Sequence, residues 1–187
     1  MTTTTVPTTL DQLTGAWTLD ASHSRIGFVA RHAMVTKVRG SFNEFEGTAV
    51  VGDGGIEDTS IDLTIQVASV DTRNADRDGH LKSGDFFDVE AAPVITFTST
   101  SVTADGETLE VTGDLTIKGV TQSVTVPFEF EGGALDPFGN VRAGFDGKVV
   151  VNRKDFGLSW NAALETGGVL VGEKVTLEFE VSAIKDA

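Results

Sequence analysis

Chemistry near neutral pH falls first to histidine and cysteine. This 187-residue chain has three histidines and no cysteine. The missing thiols exclude disulfides, thiolate metal sites and cysteine nucleophiles. A three-histidine metal centre would need His23, His32 and His80 together, and no HxxxH or HExxH spacing links them. His23 lies in a turn and braces it. His32 follows Ile26, Phe28 and Ala30 on one strand parity, which would place an imidazole at the inner mouth of a pocket. The same position also suits a partly buried histidine bonded to backbone. His80 sits beside Leu81, after Arg73, Asn74, Asp76, Arg77 and Asp78, a cluster fit for a polar headgroup or for structural caps. There is no GxSxG elbow for a serine nucleophile and no GxGxxG or GxxxxGK[ST] phosphate loop, so neither a hydrolase nor a nucleotide enzyme is indicated.

The elements that would hold these residues announce themselves by period-two alternation. Ile61, Leu63, Ile65 and Val67 share a parity. So do Leu109, Val111, Leu115 and Ile117; Val124, Val126, Phe128 and Phe130; and Val175, Leu177, Phe179 and Val181. Successive side chains leave opposite faces of a strand, so each run has one apolar and one wet face. The chain reads as an antiparallel all-β protein of eight to ten strands, enough for a barrel or two sheets. Turns are expected at Gly52–Gly55, Ala104–Glu107, Ile117–Val120 and Asp136–Asn140. Pro127, inside a strand run, predicts an edge or a bulge. Two stretches break the pattern. Residues 32–40 read as a short helical or irregular crossing, and 71–92 as an insertion with a short helix over 76–82. Residues 58–70 read as one long strand.

Residues 1–12 are expected to form a flexible N-terminal tail and 13–187 a single barrel domain. There are 28 acidic and 14 basic residues, for a net charge of −14. That balance repels nucleic acid and anionic lipid surfaces. No run is long enough to span a membrane. The N-terminus lacks the basic and apolar segments of a signal peptide, so the simplest location is cytoplasmic. Twelve Phe and two Trp occur without a Tyr. If the interior is open, such a lining suits a long aliphatic or isoprenoid chain; if it is closed, the same residues are ordinary core.

Ordered motifs sharpen the choice. Trp17-Thr18-Leu19-Asp20, Ile26-Gly27-Phe28, Arg31-His32 and Val38-Arg39-Gly40-Ser41-Phe42 come first. Then follow His80-Leu81-Lys82-Ser83-Gly84-Asp85-Phe86-Phe87-Asp88, Gly113-Asp114-Leu115-Thr116-Ile117-Lys118-Gly119-Val120-Thr121 and Arg153-Lys154-Asp155-Phe156-Gly157. In this order, across about residues 15–183, the chain resembles the YceI-like family of polyisoprenoid-binding proteins. The resemblance implies an extended antiparallel eight-stranded lipocalin-like β-barrel with short helical insertions. It also implies non-enzymatic binding, storage or transport of a long amphiphile: a polyisoprenoid, an isoprenoid quinone or a fatty-acid derivative. No cofactor is required. His32, Arg73, His80 and Arg153 become candidate mouth or headgroup contacts, with Phe87, Phe97, Phe156 and Trp160 as candidate wall contacts. The alternatives are an enzyme with a histidine base acting on a lipid-like substrate, or a filled structural or stress-related barrel. Apolar rim segments could also pair two barrels as a homodimer.

Overall fold

The structure is a computed structural model describing residues 3–187. Its strands are β1 Gly15–Leu19, β2 Arg25–His32, β3 Thr36–Phe42, β4 Phe45–Val51, β5 Thr59–Gln66, β6 Val70–Asp71, β7 Val94–Asp105, β8 Thr108–Ile117, β9 Val120–Leu135, β10 Val141–Asn152 and β11 Val171–Lys185. The helix α1 spans Ala75–Lys82. The ladder runs β1–β4–β5–β7–β8–β9–β10–β11 and closes from β11 back to β1, so eight antiparallel strands form a closed barrel. β2, β3 and β6 prolong the wall beyond the ring: β2 pairs with β11, β3 with β2, and β6 with β3. β1 and β2 both run antiparallel to β11 and act as one stave interrupted by a 3-10 turn at Ala21–His23.

Alternation becomes burial most plainly in β8. Leu109, Val111, Gly113, Leu115 and Ile117 are buried, and the residues alternating with them face outward. Two apolar clusters result, one toward each end. The first gathers Phe28, Phe42, Val67, Phe86, Phe156 and Leu158 beneath α1 and the segment after β10. The second gathers Leu10, Leu13, Trp17, Val102, Phe130 and Val141 where the chain enters β1. Phe97 packs against both.

Several sequence expectations are corrected. The 32–40 stretch is regular hairpin, with β2 and β3 paired from His32↔Thr36 to Ile26↔Phe42 and a turn only at 33–35. The inward position 40 misled because it is glycine: any Cβ there would strike the Phe28 ring. The 58–70 strand stops at Gln66, and a 3-10 turn at Val67–Ser69 intervenes before β6. The expected helix is present, capped by Asn74, whose Oδ1 accepts from the Arg77 N–H at 2.9 Å. Pro127 stands just past Phe128, the last β9 residue paired with β10, which fits a residue lacking a donor. Of the expected tail, residues 3–12 are described; Thr3, Thr4 and Thr5 are exposed, while two side chains further on pack down. Pro7 and Leu10 are buried, and Pro7 lies so close over Gly133 that no Cβ would fit there. Apolar burial overrides the polar, threonine-rich composition that suggested a tail. Met1 and Thr2 lie outside the described residues.

Candidate functional site: the barrel bore

Some inward side chains are not buried. Leu63 on β5, Phe97 on β7, Val124 and Phe128 on β9, Phe145 on β10, and Leu177 and Phe179 on β11 all share the inward parity, yet each keeps accessible surface. That surface faces a hollow of about 210 Å³ along the bore. A cavity of about 150 Å³ lined by aliphatic and aromatic side chains stays dry and takes up an apolar guest, so this one is large enough to matter. Its walls are hydrocarbon almost throughout, with Trp17 and Leu13 at one end and Phe42, Ile95 and Ile117 toward the other. Asp62 touches the wall, but its carboxylate accepts from the Thr98 hydroxyl at 3.2 Å on the exposed side. Thr59 differs. It shares the inward parity of Ile61 and Leu63, lines the hollow, and holds a buried hydroxyl oxygen with no hydrogen-bond partner among the described residues. A buried hydroxyl left unpaired costs about 1–3 kcal/mol.

Of the eight residues singled out from the sequence, only Phe97 lines this hollow. His32 is exposed at the end of β2, because its stave has run past the rim by that point. Arg73 is exposed in the turn before α1, where its backbone takes φ 66° and its N–H donates to Asp71 at 2.9 Å. Phe87, Phe156 and Trp160 belong to the apolar cluster at the α1 end, with Phe87 edge-on to Phe42 at 5.8 Å. His80 on α1 stands edge-on to Trp160 at 4.6 Å and to Phe86 at 5.0 Å, and its Nε2 lies 2.9 Å from Asp85. These three rings close the bore from above.

Arg153 is buried, and its guanidinium is spent on main chain. Nε donates to the Gly172 carbonyl at 2.8 Å, Nη1 to Leu158 at 2.5 Å and Trp160 at 2.9 Å, and Nη2 to Val171 at 3.2 Å. Burial lowers its pKa from the usual arginine value, opposed by the charge of Glu173. Arginine's planar, many-donor fork suits this work, fastening the segment after β10 to β11. The bore residues that the sequence reading missed, Leu63, Phe128, Phe145, Leu177 and Phe179, carry the same inward parity as true core, so periodicity could not separate them. Among the described residues no three His, Asp or Glu side chains converge as a metal site requires. No helix among them is long and apolar enough to cross a membrane.

A hollow eight-stranded bore walled by hydrocarbon invites comparison with known barrels, and the profile of the YceI-like domain matches residues 17–183. The chain belongs to the YceI-like family. A UPF0312 protein of Staphylococcus aureus strain N315 is 43% identical over 171 residues, covering 89% of this chain and 95% of that one. Among solved structures, BcnA of Burkholderia cenocepacia superimposes on this YceI-like barrel with a TM-score of 0.76 at 27% identity, over 88% of this chain and 98% of BcnA. The Campylobacter jejuni YceI protein gives 0.71 at 30% identity, over 84% and 90%. A polyisoprenoid-binding domain from Saccharophagus degradans shares the YceI-like fold, with a TM-score of 0.70 at 18% identity over 91% and 98%.

Proposed function

We propose that the protein is a non-enzymatic carrier that binds, stores or transports a long amphiphile in its bore: a polyisoprenoid, an isoprenoid quinone or a fatty-acid derivative. The observation that carries this reading is the ring of inward, incompletely buried side chains around an apolar hollow. Filling it removes hydrocarbon from water on both partners, at roughly 25 cal/mol per Å². The Thr59 hydroxyl supplies a polar handle toward the end where the chain enters β1. That position differs from the headgroup site expected around His32, Arg73, His80 and Arg153. The domain from Saccharophagus degradans named for polyisoprenoid binding agrees in fold with this reading. The absence of turnover is supported by where the histidines fall: the His80–Asp85 pair lies outside the lining of the hollow.

Trp17 lines the bore and Trp160 does not, which makes uptake visible. Delipidated protein titrated with an isoprenoid quinone should lose Trp17 fluorescence saturably, and a Trp17→Phe variant should lose that response. Mass spectrometry of extracts from the purified protein should show an amphiphile. A protein that neither quenches nor carries any amphiphile is a filled barrel, and the carrier reading fails.

A further inference from the structure

In so acidic a chain, residues 21–43 contain no Asp or Glu, yet hold Arg25, Arg31, Lys37 and Arg39. This stretch is the β2–β3 hairpin. Ile26, Phe28 and Phe42 point into the barrel, so Arg25, Arg31, Lys37 and Arg39 occupy the outer face. Arg31 and Lys37 sit directly opposite each other. Like charges in that position destabilise a sheet, and among the described residues neither has an ion-pair partner. Arg25 and Arg39 share Glu178, at 3.8 and 3.7 Å.

The tip of the hairpin is apolar. Met34 is 61% exposed and Val35 74%. Met34 reaches over Gly168, beside Val169, itself 39% exposed, so the tip and the 163–169 loop form one greasy knob. The facing loop carries one carboxylate, Glu165. Ala33 and Met34 hold φ of 50° and 63°, a left-handed turn that Asn and Gly adopt far more readily. The Ala33 N–H donates to the Leu170 carbonyl at 2.7 Å, pinning that strained turn to the loop. Backbone strain, a like-charge pair and exposed hydrocarbon are each unfavourable for the free protein, and all three meet at one point.

We propose that this hairpin tip docks on an anionic lipid bilayer, with Met34, Val35 and Val169 entering the interfacial layer and Arg31 and Lys37 lying on the headgroup phosphates. Charge complementarity selects that partner: a basic hairpin with no acidic residue of its own, whose Arg31 and Lys37 are unpaired among the described residues beside an apolar knob, is what an anionic interface recognises. The overall charge of −14 opposes approach, but screening confines each charge to about 8 Å at physiological salt, so the bilayer meets the tip first. Docking this way turns the end bearing His80 and Trp160 toward the lipid. The proposal stands apart from the cargo, since vesicles without any quinone or polyisoprenoid suffice to test it.

Purified protein is sedimented with phosphatidylcholine vesicles and with vesicles containing phosphatidylglycerol. Binding is expected only to the second, and high salt should weaken it. Each basic residue at such a surface is worth roughly fivefold in affinity, so Arg31→Glu with Lys37→Glu should cut binding more than tenfold. Met34→Asp with Val35→Asp should abolish it. All four side chains are exposed, so thermal unfolding should not move and serves as the folding control. No binding to anionic vesicles, or equal binding by the variants, overturns the proposal. So does dimerisation of the free protein that the same substitutions abolish, because a second copy would then cover the tip. If the charge variants bind unchanged but aggregate, Arg31 and Lys37 guard the β3 edge instead.

Discussion

At the α1 end of the barrel, closure is stitched: Arg153 ties four carbonyls, Asn161 exchanges two hydrogen bonds with the Val171 backbone, and His80, Phe86 and Trp160 lie over the mouth. At the opposite end a single run of chain, residues 3–14, plugs the bore with Pro7, Leu10 and Leu13. There one side-chain bond joins plug to wall, from Trp17 Nε1 to the Leu13 carbonyl at 2.7 Å. The ion pairs at that end lie outside the bore, with Arg142 bridging Asp20 at 2.7 Å and Asp136 at 2.8 Å. The difference teaches that one end is held by directional polar contacts and the other by burial. Directional contacts fail abruptly when one donor is removed; burial weakens in proportion to the surface lost.

The largest effect is therefore expected from Arg153→Met. It takes the guanidinium from the Gly172, Leu158 and Trp160 carbonyls and leaves Val171 with Asn161 alone, each orphaned carbonyl costing about 1–3 kcal/mol if no water replaces the donor. Urea unfolding should show a loss of about 4 kcal/mol or more; a loss under about 1 kcal/mol would mean the stitching is ornamental. At the plug, Leu13→Ala should cost about 2–4 kcal/mol. It should also speed release of a bound quinone, measured by recovery of Trp17 fluorescence. A plug variant that unfolds early yet releases cargo at the parental rate would separate closure from retention.

Thr59→Val sharpens the comparison from inside. Replacing an unpartnered hydroxyl with an isosteric methyl should stabilise the empty protein by about 1 kcal/mol. The same change should weaken binding of an amphiphile whose polar group reaches that end. A ligand affinity that does not change would show that Thr59 meets no headgroup. The smallest effect concerns the outer ion pairs. Hydrogen bonds from Ser22 and Arg142 hold the Asp20 carboxyl well below its usual value of 3.8. Asp136 is lowered too, by Asn140, Arg142 and Phe138 acting against desolvation. A depressed folded-state pKa gives stability that is present above 3.8 and is lost as pH falls below it. The melting temperature of the parent should drop more steeply in that acid range than that of Arg142→Gln. Parallel curves would remove the network from the account.

Most strands, the turns and α1 were legible because period two, glycine turns and an Asn cap are local signals, while β3 and the break after Gln66 were not. The barrel's closure was not, since pairing of β1 with β11 joins Trp17 to Lys185 across nearly the whole chain. The plug was hidden for a related reason: Pro7 and Leu10 sit among threonines, and only the distant Gly133 reveals what they cover. Arg153 and His80 were drawn out by resemblance and by residue type, yet Arg153 ties backbone and His80 roofs the bore. The Thr59 hydroxyl was invisible in sequence because its burial depends on walls from several strands.

The hollow also makes the folded chain occupy more room than its atoms fill. Unfolding lets water into that space and shrinks the system, so hydrostatic pressure should act against the empty barrel. A guest seated in the bore takes the space away and with it the volume change. Denaturation under pressure, followed by Trp17 fluorescence with and without a bound quinone, therefore gauges how full the bore is without any knowledge of what fills it.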